Sequence, residues 1–270
     1  MQANDDTPVP PPAISTAVPS GATGDSPVVP PDDGRRTMVT LLAGLVAGLA
    51  AWVGGELCLG LIKPPLHPMN SRGMMLKVTY PNEEAAADAK NAGLAFLILG
   101  AALGAGLGLA GGLARRSPGA ALKAGLLGLM MGAGAGALVS LAVLPPYNAY
   151  KARNADEALR DLVTPLFVHM AIWSSIGAVS GLAFGLGLGA RFRLPVIVQA
   201  ALAGAALGAV IYELVGALAF PTAQTARFVS TTWQTRLFAR LAVTLLTAAA
   251  AALAAKAPGS SAKRPLVPSP

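Results

Sequence analysis

Charge is scarce in this sequence. Lysine and arginine total 20 and aspartate and glutamate total 13 across 270 residues, about half the charged share of an ordinary water-soluble domain. So few ionisable groups cannot keep the surface of a chain this size wet, which excludes an ordinary soluble enzyme. Cys58 is the one cysteine, so there is no internal disulfide and no Cys-based zinc cluster. The two histidines, His67 and His169, do not occur at HExxH spacing, and two His with a few Glu make only a weak metal argument.

The basic residues exceed the acidic ones, giving a formal charge of +7. Nucleic-acid binding needs a concentrated basic stripe, whereas these residues are dispersed among the ends of apolar segments. That is the distribution that orients a chain in a bilayer. Walker A and GxSxG patterns are absent, and the glycines of the run GAGLGLAGG fall inside an apolar segment with no preceding βα turn. The expectation is therefore no enzyme, no cofactor, no metal and no nucleic-acid partner, with membrane lipids as the surroundings.

What is abundant is apolar surface and glycine: 54% hydrophobic residues and 31 Gly. Six apolar segments lie near 38–62, 92–114, 121–144, 166–190, 195–220 and 237–255. At 1.5 Å per residue, about 20 residues cross a 30 Å hydrocarbon core, so each is long enough. They are apolar on every face, without the alternation of a membrane barrel strand. The fold expected is all-α, a polytopic membrane bundle of six transmembrane helices over 37–257. It is flanked by a Pro-rich disordered tail, 1–36, with eight prolines and five aspartates, and a short tail from Pro258 to Pro270.

Two connections, LARRSPGA and ARFRLP, are short, basic and free of acids, and the others are longer. Asn82 before Glu83 and Glu84, and Asn154 three residues before Glu157, mark short helices in the first two long connections. Pro145, Pro146 and Pro165 should set where helices stop. Six spans put both tails on one side. Arg115, Arg116, Arg191 and Arg193 in the short turns place that side in the cytoplasm of an inner cell membrane.

The chain also reads as three units of two spans. Glu56 and Glu213 each lie eight residues before a proline, Pro64 and Pro221, near the ends of the first and fifth segments, and Ala137 holds the matching place before Pro145. Glycines recur every fourth residue at Gly100, Gly104, Gly108 and Gly112, and at Gly177, Gly181, Gly185 and Gly189. Shorter rows are Gly128, Gly132 and Gly136, then Gly204 and Gly208, then Gly44 and Gly48. This spacing resembles a glycine zipper, leaving one helix face bare so that backbones approach closely. Such faces serve packing within the chain, a homo-oligomer or partner membrane helices, and the spacing does not separate these.

Glu56 and Glu213 fall about seven residues inside their segments, roughly 10 Å below the edge away from the tails. His169 lies near the same edge, with Tyr212 and Ser140 as hydrogen-bonding neighbours and His67 at the adjoining surface. An ionisable group at membrane depth costs about 2.5–3.5 kcal/mol near the bilayer centre and marks function by default. One reading gathers Glu56, His169, Glu213 and Tyr212 around a polar, proton-titratable site that couples proton movement to passage of a small solute or ion. The other gives each acid a separate structural partner in a scaffolding subunit.

Overall fold

The computed structural model describes residues 33–71, 74–154, 163–220 and 227–256. Six long helices account for most of them: α1 (Asp33–Cys58), α2 (Pro81–Ala114), α3 (Pro118–Arg153), α4 (Val163–Leu188), α5 (Leu194–Ala219) and α6 (Trp233–Lys256). All six are long and apolar enough to cross a membrane. Each packs on its chain neighbours, α6 closes back onto α1, and α2 meets α4 across the middle. α2 and α4 are accordingly the most enclosed spans.

The outside and inside of the bundle differ in residue size. Leu42, Val46 and Leu49 of α1, Leu122, Leu126 and Met130 of α3, and Leu207, Leu214 and Leu218 of α5 point outward. Much of the interior is alanine, including Ala51, Ala92, Ala201, Ala205 and Ala248, with larger side chains such as Phe96, Leu103, Ile176 and Phe184 filling the centre. Lipid gives no hydrophobic drive for helix pairing, so small residues face inward where they permit close backbone contact.

The fourth-position glycines lie at these contacts, within one chain. A methyl added at Gly100 would lie 2.0 Å from the carbonyl oxygen of Gly132, and one at Gly132 equally close to that of Gly100. Gly104 and Gly128 oppose each other in the same way, Gly108 meets Ala124, Gly112 meets Ala121, and Gly136 meets Phe96. The running order, rising in α2 as it falls in α3, makes the pair antiparallel. Gly177 and Gly181 pack on Ala205 and Ala201 of α5, Gly185 on Leu194, and Gly204 and Gly208 on Leu246 and Val243 of α6. Gly44 and Gly48 sit against Ala248 and Thr244. Gly189 differs: it lies beyond α4 with φ +70°, and the amide of Ala190 donates back to the Gly185 carbonyl. That left-handed position ends the helix.

Several boundaries depart from the sequence expectation. Residues 33–36, assigned to the tail, form the first turn of α1; residues 1–32 and 257–270 lie outside the described residues. α1 stops at Cys58 rather than near position 62, with Gly60 at φ +69° and prolines 64 and 65 following. The first long connection holds a β-hairpin, β1 (His67–Ser71) paired antiparallel with β2 (Met74–Val78) in the register His67 to Val78. The acids after Asn82 begin α2 itself rather than a separate helix, with Pro81 at its first position.

Pro145 and Pro146 do not stop α3, which continues to Arg153. Missing proline N–H groups free the carbonyls of Leu141 and Ala142, a loss that membrane helices tolerate more readily than soluble ones. Asn154 caps α3 instead of starting a helix, and its supposed partner Glu157 lies outside the described residues. At 34 and 36 residues, α2 and α3 extend about 50 Å, well past the hydrocarbon thickness.

Candidate functional site

Antiparallel pairing brings the end of α1, the starts of α4 and α6, and the end of α5 together at the end of the bundle away from residues 33 and 256. His169 stands in the second turn of α4, is 2% exposed, and its Nδ1 lies 2.5 Å from Oε1 of Glu213 on α5. The imidazole is walled by aromatic rings, with Trp173 at 5.2 Å and Tyr212 edge-on at 5.7 Å. The i, i+4 spacing of His169 and Trp173 puts both on the face turned toward Tyr212 of α5. The structure thus brings His169, Glu213 and Tyr212 together.

Glu56 is held elsewhere in the cluster. Its two carboxylate oxygens accept from Arg236 of α6, Nε to Oε1 at 2.6 Å and Nη2 to Oε2 at 2.7 Å. This fork matches the planar guanidinium to a carboxylate and fixes orientation as well as charge. Arg236 also donates to the carbonyls of Ser230 and Thr231, tying the segment before α6 to the pair. Because α1 ends early, Glu56 lies two residues from the helix end and its side chain is 27% exposed. Ser140 donates to the Gly136 carbonyl of its own helix, and His67 pairs with Glu83 at 2.9 Å outside the bundle interior.

Two small cavities join the halves. One, of about 20 Å³, is lined by His169, Trp173, Tyr212, Ser230, Arg236 and Arg240, among others. The second, of about 10 Å³, is lined by Trp52, Glu56, Arg236 and Arg240 with three small or apolar neighbours. Arg236 and Arg240 belong to both walls. Arg240 is 6% exposed and its guanidinium lies over the Phe96 ring at 5.4 Å.

Sequence reasoning missed these two arginines. Placing the sixth segment from position 237 left Arg236 in a connection, whereas α6 begins four residues earlier. Arg240 lay within the expected segment, and the rule that singled out Glu56 and Glu213 applies to it with equal force. Among the described residues, no group of three His, Cys, Asp or Glu side chains is arranged to hold a metal. Comparison with protein-family models, curated proteins and solved structures finds no match to this chain.

Proposed function

We propose that this polytopic membrane protein moves a small solute or ion across the bilayer with its passage coupled to protons, through the interior cluster centred on the His169–Glu213 couple. The observation carrying this reading is the burial of that couple beside Arg236, Arg240 and Glu56, on four helices at one end of the bundle. Desolvating so many ionisable groups is costly for a protein that needs only a packed core. Histidine is the side chain whose ordinary charge change falls between pH 5 and 8, and a carboxylate against it makes proton binding responsive to other nearby charge. Glu56 has a positioning role here, holding Arg236 at the cavity wall.

The orientation belongs to the same reading: arginines 115, 116, 191 and 193 lie at the end of the bundle that carries residues 33 and 256, which supports assigning that end to the cytoplasm of an inner membrane. Reconstituted vesicles with an internal pH dye, challenged with small-solute and ion gradients, test the proposal. Solute-dependent proton flux is expected from the parent protein, and loss of its pH response in Glu213→Gln. Unchanged flux and pH response in that variant would remove the couple from the mechanism.

A second reading, a structural membrane subunit, is supported by the outward apolar surface, which includes a groove of about 940 Å³ between α2 and α3 lined by residues such as Leu94, Leu97, Leu141 and Leu144. It predicts no flux and an oligomer in detergent that crosslinking detects.

A further inference from the structure

The interior cluster has more buried donors than acceptors to receive them. Arg240 is buried in the cavity wall with its guanidinium over the Phe96 ring. Trp52 and Trp173 each bury an indole N–H without an acceptor. Both carboxylates nearby are engaged, Glu56 by Arg236 and Glu213 by His169. The larger cavity is walled by Arg240, Arg236, His169, Trp173, Tyr212 and Ser230, with no carboxylate in its lining. Its 20 Å³ admits about one water-sized occupant. A monatomic anion is of that size class.

Charge adds a second, independent constraint. With His169 neutral, the charges of Glu56, Glu213, Arg236 and Arg240 cancel. Protonating His169 leaves one net positive charge in a desolvated interior, which is unfavourable until something negative joins it. We infer that the larger cavity is a halide site in which Arg240 holds one monatomic anion, taken up together with a proton on the His169–Glu213 couple. The inference rests on the proton-coupled reading above and names its co-transported species. By linkage, proton and halide each tighten the binding of the other by the same factor.

Other charged groups at this end lie on α2, on α3 and in the segment before α6. α2 contributes Phe96 to the wall, while its Glu83, Glu84, Asp88 and Lys90 belong to its first three turns, with Glu83 on His67. α3 brings Tyr147, Tyr150 and Lys151 to this end, Lys151 lying 5.5 Å over the Tyr147 ring. Arg227 precedes Phe228 in the segment leading to α6.

The test uses the full chain in detergent at constant ionic strength, titrated with sodium chloride and sodium bromide against a gluconate background. Binding is read by calorimetry and by fluorescence of the tryptophans beside the cavities. One halide per protein is expected, with affinity rising up to about tenfold for each unit the pH is lowered, and uptake of up to one proton on chloride addition in unbuffered solution. Arg240→Gln should abolish binding, Arg240→Lys should retain a weaker site and show that the fold survives, and His169→Gln should lose most of the tightening of halide binding at low pH. Absence of halide binding by the parent protein, undiminished binding in Arg240→Gln, or pH-independent binding by the parent protein would each overturn the site. Halide binding without flux would remove the transport reading and leave the site standing; solute-driven proton flux without halide binding would do the reverse.

Discussion

Gly132 and Gly134 lie two residues apart in α3, yet a methyl group added to each meets different surroundings. At Gly132 the nearest atom is the Gly100 carbonyl oxygen at 2.0 Å, and at Gly134 nothing lies within 4 Å. Ordinary contact begins near 3.4 Å, so Gly132→Ala forces α2 and α3 apart by about 1.4 Å. The obstacle is backbone, which cannot turn aside as a side chain can. Separation also loosens the adjoining rows at Gly104 and Gly108, and overpacking of this kind costs about 1–3 kcal/mol. Alanine restores about 0.5–1 kcal/mol of helix propensity at either position. Gly134→Ala should therefore be neutral or stabilising, and Gly132→Ala should be less stable than Gly134→Ala by about 1–3 kcal/mol. Thermal and denaturant unfolding in one detergent, followed by tryptophan fluorescence, measures both. Because the propensity gain is shared, the difference isolates the interhelical contact. Gly100→Ala added to Gly132→Ala should cost less than the sum, since both substitutions open the same gap. Equal stabilities for the two single variants would refute the backbone-contact account of the glycine rows.

The Glu56–Arg236 pair should respond asymmetrically. Glu56→Gln leaves Arg236 and Arg240 as two unneutralised cations around the same cavities and should cost about 3 kcal/mol, as for breaking a largely buried pair. Arg236→Gln leaves Glu56 beside Arg240 and should cost about 1–2 kcal/mol, an order between exposed and buried pairs; unfolding of both variants checks the ranking. In a Cys58→Ala background, single cysteines at positions 116 and 192 should react with an impermeant maleimide from one membrane face, and cysteines at 70 and 77 from the other. Labelling of 116 and 192 from opposite faces would contradict the six-span topology.

The spans were legible because about 20 consecutive apolar residues admit few alternatives in a chain so poor in charge. Glycine rows such as Gly100 to Gly112 signalled close packing, and the structure adds that their partners are in the same chain. Terminal detail was less legible. Pro145 and Pro146 looked like stops because the rule comes from helices exposed to water, and the hairpin at 67–78 hid in a connection whose exposed Met74, Met75 and Leu76 resemble the adjoining apolar runs. The pairing of His169 with Glu213 followed from shared depth. The engagement of Glu56 by Arg236 did not, because the start of α6 at Trp233 depends on tertiary packing that window hydropathy does not contain.

The most direct measurement of the proton-coupled account is the protonation state of His169 in the membrane. The chain has two histidines, so histidine labelled with ¹⁵N in the imidazole gives two sets of ring signals, and His67→Gln assigns them. The account predicts that the His169 signals pass between neutral and protonated forms over the same pH interval in which flux changes, and that Glu213→Gln displaces that interval. A His169 ring that keeps one protonation state while flux varies with pH would contradict it.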